Sequence, residues 1–231
     1  DAETAVLLLE HDVRDEPWSD SVMACLPEND AIPPSEEEAC RNGSGRRRDL
    51  RHLLVCSIDP PGCKDIDDTL HCRAVPGRPG VVEVGVHIAD VTHYVRPNTA
   101  LDKEGQRRAT SVYLVERRID MLPTQLSTNC CSLVADRDRL AFSVLWHMRL
   151  DTAEVLKVDF CKSIIRSRAA LSYAEAQRRI DDKSDMSDLT SAIRKLLHLS
   201  LQLKQQRIDA GALQLASTDV KFKSYPPSYP P

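Results

Sequence analysis

Four aspartates in one short segment are the side chains of this sequence best suited to chemistry. They are Asp59, Asp65, Asp67 and Asp68, in the stretch SIDPPGCKDIDDTLHC of residues 57–72. Negative charges this close repel one another unless something positive sits among them. A ligand set of hard carboxylate oxygens suits Mg²⁺ or Mn²⁺. Two such ions can activate an attacking water and stabilise a leaving oxygen, which is the chemistry of phosphoryl transfer.

Other interpretations of the acidic segment are open from the residues alone. Acidic turns are commonly solvated caps without a ligand. Pro60 and Pro61 break the ligand spacing of an EF-hand, although a calcium-stabilised structural module stays as a third possibility. The sequence contains no G-x-x-x-x-G-K-[ST] loop, which argues against an NTPase and a nucleotide cofactor. Phosphodiester hydrolysis is the chemistry that the pattern favours.

The elements around the aspartates are predicted to be mainly β-strands. The apolar run LLVCSI, residues 53–58, predicts a strand buried on both faces that delivers Asp59 at its end. Ligand and catalytic groups cluster at such strand ends. Residues 69–75 and 81–91 flank the turn signal PGRPG and predict a hairpin, and residues 140–150 alternate as another strand. The alternation places Val82, Val84, Val86 and Ile88 on one face, and Leu140, Phe142, Val144, Trp146 and Met148 on another.

Helices are predicted over residues 19–26, 99–109, 172–180 and 188–211. Ser172 and Glu175 have the spacing of a capping box. The last helix carries an apolar stripe made of Leu189, Ile193, Leu196, Leu197 and Leu203. Near the N-terminus, AVLLLEHDV over residues 5–13 predicts a strand.

Composition limits the class of protein. The chain has 231 residues, 42% of them hydrophobic, which is enough for a sizeable core, and a formal charge of −4 that does not advertise nucleic-acid binding. Eight cysteines form no CxxC pair, which indicates buried thiols of a reducing, intracellular compartment and makes a structural zinc site improbable. The sequence has neither a signal peptide pattern nor a stretch of about 20 apolar residues, so no membrane association is expected.

The acidic segment DPPGCKDIDD resembles the catalytic RNB domain of the ribonuclease II family. Collinear matches continue through EVGVHIADVTHYVRPNTALD, RRATSVYLVERRIDMLP, DRLAFSVLW, LSYAEAQRRID and RIDAGALQLAS, and cover roughly residues 5–222. The DPPGC form is similar to the branch that serves as the catalytic subunit of the eukaryotic RNA exosome. The resemblance implies an α+β (mixed α/β) RNB-type core, with a β-sheet flanked by helices. It also implies magnesium-dependent, processive 3′-to-5′ hydrolysis of single-stranded RNA to nucleoside 5′-monophosphates.

The resemblance also implies roles for single residues. Asp59, Asp65, Asp67 and Asp68 match the metal-binding and catalytic aspartates. Tyr113 and Tyr173 match aromatic residues that hold the RNA near the scissile bond, and core packing is the alternative for each. Four arginines flank Tyr113 and could follow RNA phosphates, with a solvated basic face as the alternative: Arg107, Arg108, Arg117 and Arg118. His87 and Asp90 are interpreted as structural.

Domain boundaries follow from composition and from the resemblance. We expect residues 1–26 to end a cold-shock-type OB barrel, residues 27–45 to form a linker, and residues 223–231 to be a Pro/Tyr-rich tail. Residues 46–222 would be the N-terminal half of an RNB domain that is truncated on its C-terminal side. Partners implied are single-stranded RNA and exosome core subunits, in the nucleus, the nucleolus and the cytoplasm. A non-catalytic RNA- or exosome-binding fragment is the alternative function, since no segment resembles the distal arginine motif of the family.

Overall fold

Eight strands and six α-helices make up the described part of the chain. The computed structural model describes residues 2–33, 36 and 47–215. The strands are β1 (Arg47–Asp49), β2 (Val55–Asp59), β3 (Asp68–Ala74), β4 (Val81–Ala89), β5 (Val112–Tyr113), β6 (Arg118–Ile119), β7 (Asp138–Arg149) and β8 (Val155–Ser172). The helices are α1 (Ala2–Glu10), α2 (Asp20–Met23), α3 (Val91–Tyr94), α4 (Ala100–Arg108), α5 (Tyr173–Asp181) and α6 (Asp188–Asp209), with a π-helix at Gln125–Cys130.

The main sheet closes on itself through its longest strand. Its order is β1-β8-β2-β3-β4-β7, and β8 also pairs with β7. The first part of β8 runs antiparallel to β7, and its last residues run parallel to β2. The small hairpin of β5 and β6 stands apart from this sheet. The α+β architecture of a sheet flanked by helices is confirmed.

The enclosed face of the sheet carries polar side chains as well as apolar ones. His71 and His87 are almost completely buried there, with their ring nitrogens 2.9 Å apart (Nδ1 to Nε2). His87 Nδ1 lies 2.7 Å from the hydroxyl of Ser143, and His71 Nε2 lies 3.3 Å from Glu83 Oε1. Buried polar groups need such partners, because leaving one unpaired costs about 1–3 kcal/mol. His87 therefore has the structural role expected for it.

The outer face of the sheet is covered on only part of its area. Helix α6 packs against Cys72, Val82 and Met148, so the predicted apolar face of β4 is buried at its first residues. At the other end of the same face, Ile88 is 42% and Phe142 41% exposed.

Most of the predicted elements are confirmed. The buried strand before Asp59, the hairpin of β3 and β4, the strand β7 and the helices α2, α4, α5 and α6 all form at the expected places. The capping box of Ser172 and Glu175 is complete. In α6 the buried stripe runs through Ala192, Ile193 and Leu199, while the predicted stripe residues Leu197 and Leu203 are 37% exposed.

The predicted strand over residues 5–13 is wrong. This segment forms helix α1, which ends at Glu10 and buries none of its residues. Alanine, leucine and glutamate are strong helix formers, and a run of them needs a strand partner before it becomes a strand. No strand forms within residues 2–33, so the segment folds by its local preference. Its assignment to a cold-shock module stays a prediction.

Some predictions fall outside the described residues. Most of the predicted linker, at residues 34–35 and 37–45, and the whole Pro/Tyr-rich tail lie there. Seven cysteines in the described part are free thiols: Cys25, Cys56, Cys63, Cys72, Cys130, Cys131 and Cys161. Among the described residues, no helix has both the length and the apolar character needed to cross a membrane.

Candidate active site

The acid loop, residues 59–68, connects β2 to β3 and is anchored to the protein core by one buried serine. Ser132, which is 1% exposed, donates from its Oγ to the carbonyl of Lys64 at 2.8 Å. The same Oγ accepts from the backbone N–H of Ile66 at 3.0 Å, and Leu133 N–H donates to the carbonyl of Ile66. Ile66 itself is buried. The middle of the loop is therefore pinned to the core while the acidic residues on either side of Ile66 face outward.

The strands on either side of the acid loop place its first and last aspartates. Asp59 ends β2, where it pairs with Ser172 of β8. Asp68 begins β3 and pairs with Ile88 of β4. Between them, the carbonyl of Asp67 accepts from Ala89 N–H at 2.9 Å. Asp67 and Asp68 are exposed, and Asp59 and Asp65 are half-buried.

The charges of the acid loop act on Asp67. The pKa of Asp67 is raised above its ordinary value of 3.8, first by desolvation and then by the charges of Asp65 and Asp68. The charge of Asp59 adds a smaller raising effect, and the charge of Arg118 opposes the shift. Because the Asp67 side chain is exposed, water screens these charges and the energetic consequence is small. The charges of the other three aspartates thus add to the desolvation that raises the pKa of Asp67.

The donor chemistry of the loop fits a divalent cation. All four side chains offer carboxylate oxygens, and the Asp59 Oδ2 atom is buried without a hydrogen-bond partner. A buried acceptor without a partner is costly, and a cation would satisfy it. Within the residues that the structure describes, however, no three His, Cys, Asp or Glu side chains are already arranged around a common point that could hold a metal ion. A metal held by these residues would therefore need their side chains to rearrange, and the Asp65 carboxylate is already paired with Arg118.

The β5–β6 hairpin lies against the acid loop and contacts it through Asp65. The Tyr113 hydroxyl donates to Asp65 Oδ2 at 3.4 Å, although the Tyr113 side chain is 70% exposed. Arg118, opposite Tyr113 in the hairpin, forms an ion pair with Asp65 (Nη1 to Oδ2, 2.5 Å) and another with Asp120 (Nε to Oδ1, 2.5 Å). Tyr113 is therefore not a core residue. It stands beside the acid loop with the Arg118 guanidinium 5.9 Å from the centre of its ring, and its RNA-binding role stays a prediction.

The other three predicted RNA-binding arginines point elsewhere. Arg107 pairs with Glu104 and Glu16. Arg108 is buried against Glu104, and its guanidinium lies 3.7 Å from the centre of the Trp18 ring.

Arg117 forms its ion pair with Asp15. Together these three arginines clamp residues 15–18 onto α4 and the hairpin. Their contacts are structural, and within the part of the chain that the structure describes, Arg118 is the one arginine of the four that pairs with an aspartate of the acid loop.

Tyr173 lies beside the end of β2 that carries Asp59, because the preceding residue, Ser172, pairs with Asp59. It is the first residue of α5, directly after Ser172, and is 60% exposed. Its ring lines an apolar groove of about 460 Å³ between the outer face of the sheet and helices α5 and α6, together with Ile58 and Ile193. A second cavity of about 290 Å³ is lined by Asp59, the Pro-Pro-Gly turn and Glu175. The β2–β8 pairing thus brings Tyr173 to the strand end that carries Asp59.

Two features of the site were absent from the sequence-based predictions. The first is Ser132, which anchors the loop and lies in the short segment CSL of residues 131–133. The second is the ion pair of Arg118 with Asp65, which joins residues 53 positions apart and has no local sequence signal.

Asp90 was interpreted as structural, which agrees with its burial and its ion pair with Arg47 (Oδ2 to Nη2, 2.6 Å).

Comparison with known proteins agrees with this geometry. The RNB domain family matches residues 47–228 of the chain. The chain belongs to this family. The structure of Mycoplasma genitalium RNase R in complex with ribose methylated single-stranded RNA shares its fold, with a TM-score of 0.80 and 23% identity over 94% of this chain and 33% of that one.

Curated RNB relatives are similar over almost the entire chain. The exosome complex exonuclease RRP44 homolog A of Arabidopsis thaliana is 53% identical over 231 residues, which is 100% of this chain and 24% of that protein. The exosome complex exonuclease RRP44 of Homo sapiens is 53% identical over 96% of this chain and 22% of that protein. This RNB chain spans about a quarter of the length of these relatives. The resemblance to the exosome branch of the family is confirmed.

Proposed function

We propose that this RNB chain carries the catalytic acid loop of a hydrolytic 3′-to-5′ exoribonuclease. It would act processively on single-stranded RNA, release nucleoside 5′-monophosphates, and depend on Mg²⁺, with Mn²⁺ as a substitute. The observation that supports this most is the acid loop itself, which is pinned by Ser132 and exposes mutually repelling carboxylates beside Tyr113. From the similarity to the RRP44 exosome exonucleases, we also propose that it works with the exosome core in RNA processing and decay. Its compartments would be the nucleus, the nucleolus and the cytoplasm.

Each residue of the site has a task in this proposal. The divalent cation, when bound, supplies charge stabilisation for a phosphoryl group and an activated water. Asp59, Asp65, Asp67 and Asp68 would hold it. Tyr113 and Tyr173 offer exposed rings on which the terminal bases can stack, an interaction worth about 1–3 kcal/mol per base. The two aromatic rings thus orient the strand, and the carboxylates face the phosphate between them.

Replacing Asp67 tests the proposed chemistry. In a protein as long as the curated relatives, Asp67→Asn should abolish RNA cleavage and leave RNA binding nearly unchanged, because a lost ligand removes stabilisation that develops mainly in the transition state. The assay is cleavage of labelled single-stranded RNA with Mg²⁺, alongside a binding titration. Asp151→Asn, an exposed acid in the turn between β7 and β8, is the matched control. Cleavage by Asp67→Asn within about tenfold of the parent would exclude the assignment.

A non-catalytic role is the second candidate, and one observation favours it. Asp65 is already neutralised by Arg118, and none of the described carboxylates are gathered around a metal position. In that case the RNB chain would bind RNA or the exosome without cleaving. Single-stranded RNA that is bound but remains intact at saturating Mg²⁺ and Mn²⁺ would establish this second function.

A further inference from the structure

Asp65 differs from the other aspartates of the loop in the number of its partners. Its Oδ2 contacts both the Arg118 guanidinium at 2.5 Å and the Tyr113 hydroxyl at 3.4 Å, and its Oδ1 lies 3.7 Å from the thiol of Cys63. Asp59 Oδ2, by contrast, is buried without a partner. One carboxylate of the proposed metal site is therefore committed to the hairpin before any metal binds.

The contact between Arg118 and Asp65 is stronger than an ordinary surface ion pair. The side chains of Arg118, Asp65 and Asp120 are only 21%, 24% and 13% exposed, so water screens their charges incompletely. The neighbouring Arg117 and its partner Asp15 are 45% and 37% exposed. Two arginines adjacent in sequence thus differ in partner and environment, since one faces the acid loop and the other faces the N-terminal segment.

A carboxylate oxygen paired with a guanidinium is a poorer metal ligand. The guanidinium places a positive charge where the metal charge would have to approach, and like charges disfavour each other. Binding at the two positions is then coupled, and the coupling acts equally in both directions. Because Arg118 lies across from Tyr113 in the β5–β6 hairpin, whatever releases Arg118 also loosens the contact that seats Tyr113 beside the loop.

We infer that Arg118 is a positioning residue that competes with the divalent cation for Asp65, so that metal binding and the docking of the Tyr113 hairpin are coupled. This rests on the proposed metal-dependent function. Without metal, Arg118 seats the hairpin on the loop and neutralises Asp65. With metal, Asp65 turns to the cation, and Arg118 keeps Asp120 as its remaining partner. Arg118 itself would not contact the reacting atoms.

Metal affinity of the 231-residue chain tests the inference without any measurement of activity. The dissociation constant for Mn²⁺ is measured by isothermal titration calorimetry and by the electron paramagnetic resonance signal of free Mn²⁺. Arg118→Gln removes the competing charge, and Mn²⁺ should bind about tenfold more tightly, in line with the worth of a charge-assisted contact. Arg118→Lys, which keeps the charge, should stay close to the parent.

Two further variants accompany Arg118→Gln, because the opposite directions expected for Arg118→Gln and Asp120→Asn separate competition from a loss of structure. Among the described residues, Asp120→Asn leaves Asp65 as the sole anionic partner of Arg118, so Mn²⁺ should bind more weakly than to the parent. Arg117→Gln, the matched control, should leave the affinity unchanged because its partner is Asp15. A purely structural role of the ion pairs would instead weaken Mn²⁺ binding in both Arg118→Gln and Asp120→Asn.

Hydrogen exchange gives a second readout on the parent chain. Saturating Mn²⁺ should slow exchange of amides in the acid loop and speed exchange in residues 112–119, as the hairpin loses its contact with Asp65. Arg118→Gln should show the fast hairpin exchange without metal.

The outcomes distinguish this inference from the function on which it rests. If the parent chain binds Mn²⁺ and Asp67→Asn does not, but Arg118→Gln leaves the affinity unchanged or lower, the competition is refuted and the metal site stands. Protection of both the loop and the hairpin by Mn²⁺ refutes the competition as well. If neither the parent nor Arg118→Gln binds Mn²⁺ at millimolar concentration, both the proposed metal dependence and the competition are wrong.

Discussion

Gly85 is the residue at which a single added methyl group should be most damaging. It lies in β4 directly opposite His71 of β3. A Cβ atom at Gly85 would stand 2.2 Å from Cε1 and 2.3 Å from Nδ1 of the His71 ring, and 3.0 Å from Leu145 Cδ2. The imidazole therefore lies over the glycine and occupies the space of its missing side chain. Gly85→Ala would force the ring to retreat by roughly 1 Å to reach ordinary contact distance.

The contacts of the His71 ring make its displacement energetically costly. The ring is stacked on His87 at a centroid distance of 5.1 Å and is tied to His87 and Glu83 by its two nitrogens. Overpacking of a core costs about 1–3 kcal/mol, and each buried polar group left without its partner costs about 1–3 kcal/mol. We expect Gly85→Ala to lower the free energy of unfolding by about 3–5 kcal/mol. In a chain of this size such a loss lowers the Tm by roughly 10 °C.

Urea unfolding of the 231-residue chain, followed by far-UV circular dichroism, measures this loss. Gly105→Ala is the control, because it lies within α4 and the nearest atom to its added Cβ is the side-chain Leu122 Cδ2 at 3.3 Å. Alanine is also the better helix former there, so this variant should stay within about 1 kcal/mol of the parent. The double variant Gly85→Ala with His71→Ala should cost less than the two single losses added together. A change below about 1 kcal/mol for Gly85→Ala alone would refute the position of the His71 ring over the glycine.

Three further predictions concern the loop, the RNA contact and the buried histidines. Ser132→Ala should lower the free energy of unfolding by about 1–3 kcal/mol and speed hydrogen exchange of the acid loop, because it removes the buried partner of Ile66 N–H; unchanged exchange would contradict the anchoring role. Tyr113→Ala, in a protein as long as the curated relatives, should lengthen the final RNA product on a sequencing gel more than it slows cleavage of long RNA, and an unchanged product ladder would exclude stacking on this ring. Burial, together with the charge of His71, lowers the pKa of His87 from its ordinary 6.5 to about 3, so the unfolded chain binds a proton there that the folded chain does not. The free energy of unfolding that neutral His87 contributes is therefore fully present above pH 6.5 and is lost as the pH falls towards 3, by at most about 1.4 kcal/mol per pH unit. When urea unfolding is compared at pH 7 and pH 5, the free energy of unfolding should change less in His87→Gln than in the parent. An equal change in the two proteins would assign the loss to other groups.

The sequence by itself determined the strands and helices that carry the site. Period-2 alternation identified β4 and β7, the apolar run identified β2, and the Ser172–Glu175 spacing identified the start of α5. These signals are local, because a strand or a capped helix shows its pattern within its own residues. The chemistry of the acidic segment could also be predicted, because charge repulsion and ligand type depend on the residues within ten positions of the chain.

Only the tertiary structure decided which residues meet. Residues 5–10 lie in helix α1 and not in the predicted strand, and within residues 2–33 no strand stands beside them, which their own composition does not reveal. The arginines around Tyr113 looked equivalent in sequence, yet Arg117 faces Asp15 and Arg118 faces Asp65. The partners lie 102 and 53 positions away along the chain. Contacts over such separations depend on how the sheet closes and where the hairpin docks, which no periodicity of the local sequence encodes.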